Sequence, residues 1–339
     1  MELLTEKRLA SGENLKVFHW CAPEKAPRKF ADYISASFGS DHPHRNLYTI
    51  NGWRAYFSGA MNGALFPDVV DHWFFAEVDG ECAGRIWFAY SARTGRGNFG
   101  NVMTEPAYQK RGIMTELMKH CMAEIRRSPA TMLCCATGNK FAAASYVKFG
   151  FRLIYGGETG PLCFSRGTDF LDEAKRVFPG GRTAEIRPGK IGDQFDLDKF
   201  LAYVPEIWKR PLPVQCGPSA EVADFRLAYQ ESVGGRGVVF SALDEKEQCC
   251  GYAFAILLSG LPVLDFVIHP ACREGASELI RRTAAAFREK FHLDPLYYGH
   301  ADDEEKNTLL RESGMKQIAI IPNGIFCRMQ PADMAVWGF

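Results

Sequence analysis

The pattern of apolar and polar positions in the first half of the chain predicts alternating strands and helices. Apolar runs with alternating polarity predict strands, and apolar residues three or four positions apart predict helices. Strands are predicted at 15–20, 72–90 (two strands with a hairpin at Asp79-Gly80), 98–105, 131–137, 151–156 and 161–167, and helices within 24–61 and at 113–127 and 139–149. Gly150 is suited to end the last of these helices.

The second half carries a similar pattern. Strands are predicted at 183–187, 238–245, 250–258, 262–269, 296–301, 315–322 and 325–329, and helices at 191–208, 219–232, 274–291 and 303–312. Each half is therefore predicted to be an α+β unit, with a mixed, mostly antiparallel sheet flanked by helices.

Three landmarks recur at nearly one offset, which indicates two copies of one unit. Pro106 and Pro270 are 164 residues apart, Gly150 and Gly314 are also 164 apart, and Gly112 and Gly275 are 163 apart. We expect an N-terminal domain at 1–167, a linker at 168–182 containing Pro179-Gly180-Gly181, and a C-terminal domain at 183–339.

Composition narrows the classes of function. The chain has 339 residues, with 40 Lys plus Arg and 40 Asp plus Glu, so no overall field attracts nucleic acid or an anionic membrane. The polar N-terminus lacks the apolar core of a signal peptide, and the apolar run 249–268 is interrupted by a turn. We expect a cytoplasmic protein with no membrane span. Eleven cysteines without a CxxC pair are expected to be reduced, and no metal is expected.

The stretch EPAYQKRGIM (105–114) stands where a strand ends and a helix begins. Backbone N–H groups in a glycine turn at a helix N-terminus can bind a pyrophosphate, and Lys110 and Arg111 would add positive charge. The alternative is an ordinary solvated turn. Downstream, Asn139, Ala142 and Tyr146 fall on one face of the predicted helix.

Together these two segments resemble the GCN5-related N-acetyltransferase (GNAT) superfamily. Its acyl-CoA loop, Q/R-x-x-G-x-G/A, corresponds to Gln109–Met114, after Thr104-Glu105-Pro106. Its pattern N-x-x-A-x-x-x-Y-x-x-x-G-F is matched at every fixed position, from Asn139 to Phe151. The resemblance covers about 15–167, and the second half resembles the family only as a degenerate copy.

The resemblance implies a tandem GNAT fold with acetyl-CoA as co-substrate. The residues implied to bind it are Val102, Met103, Thr104, Gln109, Lys110, Arg111, Gly112, Ile113, Met114, Asn139 and Ala142. The strand ending at Thr104 is expected to splay from its neighbour, so that free N–H groups near Val102 polarise the acyl carbonyl. Tyr146 is expected to be the general acid for the departing thiolate, although a core tyrosine is the alternative. Met114 departs from the family's Gly or Ala.

The general base is left open, because the strand carries Asn98 and Asn101 where some family members have a glutamate. Glu105 is assigned to the cofactor side. The candidates are Glu77, His72, the pair His42 and His44, and the carboxylate of the terminal Phe339.

In the second half, the offset places Arg273, Asp303, Lys306 and Leu310 at the positions of Gln109, Asn139, Ala142 and Tyr146. The tyrosine hydroxyl is lost, and Glu274 before the glycine would repel a phosphate. We expect the second half not to bind acetyl-CoA.

The function expected from these patterns is N-acetyl transfer from acetyl-CoA to a primary amine of a small molecule or a peptide N-terminus. One alternative is another acyl-CoA or aminoacyl transferase, and another is a CoA-binding sensor or scaffold without catalysis. The oligomeric state and the acceptor are not predicted.

Overall fold

The computed structural model describes residues 1–37, 47–154, 157–167, 181–203, 225–258, 260–327 and 330–339. The chain divides into two compact units, Met1–Pro43 with Tyr56–Arg176 and His44–Ala55 with Val177–Phe339. Most of the expected linker, and His42 and His44, lie outside the described residues.

The first unit is built from eight strands and four helices among its described residues. The strands are β1 (Glu2–Arg8), β2 (Asn14–Cys21), β3 (Val69–Val78), β4 (Glu81–Ser91), β5 (Arg96–Thr104), β6 (Met132–Thr137), β7 (Arg152–Leu153) and β8 (Gly160–Ser165), and the helices are α1 (Arg28–Ala36), α2 (Leu47–Met61), α3 (Ile113–Arg127) and α4 (Lys140–Lys148). The division between the units runs through α2.

The eight strands form one sheet in the order β1-β2-β3-β4-β5-β6-β8-β7. Neighbouring strands pair antiparallel except β5 and β6, which are parallel. The polar strand β1 was not predicted. It pairs along β2 at the sheet edge with most of its side chains exposed, so its sequence carries no apolar signal.

The helix α3 covers one face of this sheet. Its buried side chains, such as Leu117 and Cys121, pack against alternate residues of β3 and β4, such as Phe74 and Phe88. This is the packing expected when one apolar stripe of a helix meets one face of a strand pair.

The opposite face is covered by α1 and α2. Phe30 of α1 stacks on Phe75 of β3, with ring centroids 4.2 Å apart. Under α2, the fully buried carboxylate of Asp71 accepts hydrogen bonds from the Tyr56 hydroxyl (2.9 Å) and the Trp87 indole N–H (2.8 Å). Burial raises the pKa of Asp71 to about 6, although the two hydrogen bonds oppose the shift.

The second unit contains seven strands and four helices in its described part. The strands are β9 (Thr183–Pro188), β10 (Gly237–Asp244), β11 (Cys249–Leu258), β12 (Leu261–Ile268), β13 (Tyr297–His300), β14 (Lys316–Cys327) and β15 (Gln330–Gly338), and the helices are α5 (Gln194–Tyr203), α6 (Phe225–Val233), α7 (Ala276–Phe291) and α8 (Glu304–Glu312).

These strands form two sheets, in the orders β12-β11-β10-β9 and β13-β15-β14. A parallel bridge between Val263 and Leu296 joins them. The resulting order, β9-β10-β11-β12 then β13-β15-β14, parallels β2-β3-β4-β5 then β6-β8-β7 of the first unit. The two strands expected at 315–322 and 325–329 are one irregular strand, β14, and the chain end forms a further strand, β15, which buries Trp337.

Within the described residues, no helix is both long and apolar enough to cross a membrane.

Asp71 provides a test of this packing through pH. Because its pKa is higher in the folded protein than in an unfolded chain, the folded state favours the protonated carboxyl, and this stabilisation is lost as the pH rises toward and through 6. We expect the free energy of unfolding of Asp71→Asn, relative to that of wild type, to rise by about 1–2 kcal/mol as the pH increases from 5 to 7.5. Urea unfolding followed by tryptophan fluorescence measures this difference. The exposed α1 residue Asp32, changed to Asn, is the control and should show no such trend. If the difference in free energy of unfolding between Asp71→Asn and wild type did not change with pH, the raised pKa of Asp71 would be contradicted.

Candidate active site

A wedge opens between β5 and β6. The two strands pair only from Arg96 with Met132 to Asn98 with Cys134, whereas β5 continues to Thr104. Beyond Asn98, no described strand pairs with the β6-facing edge of β5, so backbone groups there are available to a ligand.

A register shift adds to this divergence on the other side of β5. Trp87 of β4 pairs with Gly100, and Arg85 pairs with Met103, so one extra β5 residue is accommodated between them. Asn101 within this bulge has a φ of 52°, a conformation that asparagine tolerates better than most residues. Such a bulge re-aims the backbone groups around Val102.

The loop after β5 ends in a left-handed turn. Lys110 and Gly112 have φ values of 62° and 80°, and Gly112 directly precedes α3. A methyl group added at Gly112 would meet no described atom within 4 Å, so glycine is required by the backbone conformation and the space beside it is open. The first N–H groups of α3 lack partners within the helix and face this space with the positive end of the helix dipole.

The two cations of the loop are not equivalent. Arg111 forms an ion pair with Glu13 and donates to the Ala107 carbonyl at 2.8 Å. Lys110 is exposed, and no contact of its ammonium with a described residue is found. The Arg111 guanidinium is therefore already engaged within the protein, and the contact of the two cations with a ligand stays a prediction. The Gln109 amide donates to the Thr104 carbonyl at 3.3 Å, which ties the loop to the end of β5.

Three of the residues implied to bind acetyl-CoA contribute side chains to the core. Ile113 is buried, and the half-buried Val102 and Met114 pack against the same cluster. The unusual Met114 is thus explained by packing, since its flexible side chain fills the core surface under the loop. These three residues can contact a ligand in this loop mainly through their backbones.

Helix α4 begins beside the end of β6. Asn139 caps it, and its side-chain oxygen accepts from the N–H groups of Phe141 (2.9 Å) and Ala142 (3.3 Å). The half-buried Ala142 packs against the core. The sequence motif at Asn139 therefore has a structural role as a helix cap, and its role in cofactor binding stays a prediction.

Tyr146 flanks the wedge. Its ring packs edge-on against Phe99 of β5, with centroids 5.2 Å apart, and also contacts Phe151. Burial is the main cause that raises the pKa of the Tyr146 phenol above its ordinary value, and nearby Cys135 of β6 adds to the shift. The phenol is therefore protonated at neutral pH, and its ring lies beside Phe99 of β5.

Three of the residues proposed from the sequence as general base are engaged in other contacts. His72 is buried on the α3 face, contacts His19 with its ring nitrogen at 3.0 Å, and has its pKa lowered to about 3 by burial. Glu77 forms an ion pair with Lys29 at 2.7 Å. Phe339 belongs to the second unit, where its ring lies under the Arg288 guanidinium.

A polar group at the end of β5 was missed. The Glu105 carboxylate accepts a hydrogen bond of 2.7 Å from the Tyr33 hydroxyl of α1, and the buried guanidinium of Arg85 lies 4.7 Å from the centre of the Tyr33 ring. The Glu105 carboxylate therefore faces α1. The alternation of side chains along a strand gave this orientation in advance. Glu105 follows Thr104 and must therefore point to the opposite face of the sheet.

No group of three or more His, Cys, Asp or Glu residues in the described part of the chain could hold a metal ion. The nine cysteines characterised there form no disulfide.

The corresponding loop of the second unit is closed. Gly275 has an ordinary helical conformation, and a methyl group added there would lie 2.1 Å from the Thr183 hydroxyl. Glu274 accepts from the Thr183 N–H at 2.6 Å, and Arg273 pairs with Glu312 at 3.4 Å. The strand β9 thus occupies the space that stays open beside Gly112.

The corresponding wedge is also occupied. Lys306 of α8 inserts its ammonium 2.5 Å from the buried carboxylate of Asp265 in β12, and it lies 4.8 Å and 5.1 Å from the rings of Phe266 and Tyr297. Leu310, at the position of Tyr146, is fully buried and apolar.

Comparison with known proteins identifies the first unit. Residues 29–151 match the model of the acetyltransferase (GNAT) family. This segment is an acetyltransferase domain of that family, with a mixed sheet flanked by helices, and the prediction of an acyltransferase enzyme is confirmed. No curated protein matches the chain significantly.

Several solved structures match part of the chain. A phosphinothricin acetyltransferase from Sinorhizobium meliloti in complex with acetyl-CoA is 18% identical, over 46% of this chain and 88% of its own, with a TM-score of 0.35. A spermidine N-acetyltransferase from Vibrio cholerae in complex with CoA and spermine is 13% identical, over 46% and 94%, with a TM-score of 0.36. A ribosomal-protein-S5-alanine acetyltransferase from Vibrio fischeri is 10% identical, over 45% and 91%, with a TM-score of 0.37. Sequence identities and TM-scores this low do not assign a substrate to this chain.

Proposed function

We propose that the first unit transfers an acetyl group from acetyl-CoA directly to a primary amine of a small molecule or a peptide N-terminus. One observation carries this proposal. The open wedge between β5 and β6 is bordered at one end by the left-handed turn before α3 and on one side by Tyr146. In this proposal the turn would hold the pyrophosphate, the free edge of β5 would accommodate the extended arm, and Tyr146 would donate the proton.

The residues fit this substrate. The N–H groups of the first turn of α3 and the exposed Lys110 would hold the pyrophosphate, and the absence of a side chain at Gly112 allows its close approach. The free edge of β5 at Val102–Thr104 would hydrogen-bond the arm and polarise the acyl carbonyl. Holding donor and acceptor together supplies much of the rate in such a direct transfer.

Tyr146 is proposed to protonate the departing sulfur. A thiol is a much stronger acid than a buried phenol, so proton transfer to the leaving thiolate succeeds only within the collapsing intermediate, with the hydroxyl in hydrogen-bond reach. The raised pKa keeps the phenol protonated until that step.

We further propose that residues 183–339 are a second copy of the same unit that has lost cofactor binding. The strand order supports a shared origin, and the closed loop at Gly275 and the occupied wedge at Lys306 support the loss. The domain limits 1–167 and 183–339 are part of this proposal.

The cofactor site is tested by isothermal titration of the full chain with CoA. We expect one site per chain, and we expect Gly112→Val to weaken binding at least about tenfold, because a β-branched residue is strained at φ 80°. The matched control is Gly314→Val, which places the same strain at φ 92° in the second unit and should leave the affinity unchanged. Binding of two CoA molecules per chain would refute the proposal that the second copy has lost cofactor binding.

The acetyl transfer is tested by thiol release from acetyl-CoA with spermidine, benzylamine, L-lysine and an alanyl peptide. Tyr146→Phe keeps the aromatic packing but removes the hydroxyl, so kcat should fall about 10²-fold or more while the dissociation constant for CoA stays within twofold. Phe99→Leu is the packing control, since it perturbs the ring contact without removing a proton donor. An unchanged kcat in Tyr146→Phe would remove this residue from the mechanism.

The occupied wedge of the second unit is tested through stability. Lys306→Met leaves the Asp265 carboxylate buried without its cation, and we expect a loss of about 3–5 kcal/mol in free energy of unfolding. The double variant Lys306→Met with Asp265→Asn should recover part of this loss, which denaturant unfolding measures. Equal losses in the single and double variants would show that charge pairing is not the cause.

A further inference from the structure

The side chain of Glu105 serves no evident local purpose in the fold. Its backbone continues the pairing of β5 with β4, because its N–H donates to the Ala83 carbonyl at 2.9 Å. Glu105 also precedes the short 3₁₀ turn Pro106–Tyr108, but its carboxylate does not cap that turn. Instead the carboxylate points to α1, and its Oε1 atom accepts a hydrogen bond from the Tyr33 hydroxyl.

The face on which this carboxylate lies follows from the sheet register. Thr104 pairs with Gly84, and a methyl group added at Gly84 would meet Leu117 of α3 at 3.3 Å, so this pair faces α3. The neighbouring residues Arg85 and Glu105 alternate to the other face, where both contact Tyr33 of α1. Tyr146, in contrast, belongs to the core cluster that contains α3.

The distance along the strand places this carboxylate near the proposed reaction centre. Glu105 is three residues beyond Val102, or roughly 10 Å along an extended strand. A glutamate side chain that leans back along the strand, together with an amine or an amine and one water, spans that separation. The proton donor and this carboxylate thus stand on opposite faces of β5.

We infer that Glu105 is the proton acceptor for the attacking amine, and that the acceptor enters from the α1 face as an amine attracted by this carboxylate. The inference rests on the proposed acetyl transfer. The amine nitrogen bonds to the acyl carbon, the carbon–sulfur bond breaks, the proton lost by nitrogen goes to Glu105, and Tyr146 supplies the proton to sulfur. Proton exchange with solvent then restores both residues.

Tyr33 is a positioning residue in this arrangement. Its hydroxyl donates a hydrogen bond to Oε1 of Glu105 and leaves Oε2 for the amine. No contact of Oε2 with a described residue is found. Burial, followed by the hydrogen bond to Glu105, raises the pKa of Tyr33, so it remains a donor at neutral pH.

The test is Glu105→Gln in the full chain, assayed by thiol release from acetyl-CoA with the best acceptor among spermidine, benzylamine, L-lysine and an alanyl peptide. Glutamine retains the hydrogen bond from Tyr33 but cannot take a proton. We expect kcat to fall about 10²–10³-fold, with the dissociation constant for CoA within twofold of wild type. Glu105→Asp should recover at least about tenfold over the Gln variant, and Tyr33→Phe should lower kcat about three- to tenfold without changing CoA affinity.

The control is Glu81→Gln, an exposed carboxylate at the hairpin between β3 and β4, which should behave as wild type. A kcat for Glu105→Gln within threefold of wild type would overturn the assignment while leaving the acetyl transfer intact. If wild type binds CoA but releases thiol with none of the amines, the proposed function fails, and the role of Glu105 fails with it.

Discussion

The early end of hydrogen bonding between β5 and β6 is the constraint on which the site of the first unit depends. Backbone N–H and C=O groups inside a protein are almost always paired, so a strand edge left open for six residues beyond Asn98 needs another partner. The parallel pairing ends there because the strands diverge, and the bulge at Asn101 turns β5 further from the plane of its neighbour. A polar, extended arm is the kind of ligand that such an edge can pair with.

The second unit also has two neighbouring strands that diverge. Its strand β12 meets the segment before β13 at one parallel bridge, with the Leu264 N–H donating to the Leu296 carbonyl at 2.8 Å, whereas β5 and β6 pair at three positions. There the wedge is filled from within by Lys306, whose charge is balanced by Asp265 and whose stem lies between aromatic rings. The space between the diverging strands is thus left open by β5 and β6 in the first unit, whereas a charged side chain fills it in the second unit.

The sequence reveals those parts of the fold and site that rest on local chemistry. The turn at Gly112 and the helix that follows Asn139 were identifiable because they need particular residues at particular positions. The strand β1 was not identifiable, because an edge strand with exposed charged residues is formed by its partner rather than by its own pattern. The engagement of Arg111 with Glu13 was hidden for a related reason, since the two residues are 98 positions apart.

Glu105 illustrates more sharply the limit of what can be predicted from the sequence. Its position one residue after Thr104 fixes the face of the sheet on which it lies, but only the packing of α1 shows what stands on that face. The proposed direct transfer needs a proton acceptor at nitrogen and a proton donor at sulfur. The sheet register places Glu105 on the α1 face of β5, whereas Tyr146 belongs to the core cluster on the α3 face, so in this proposal the two groups would serve opposite sides of the reacting carbon.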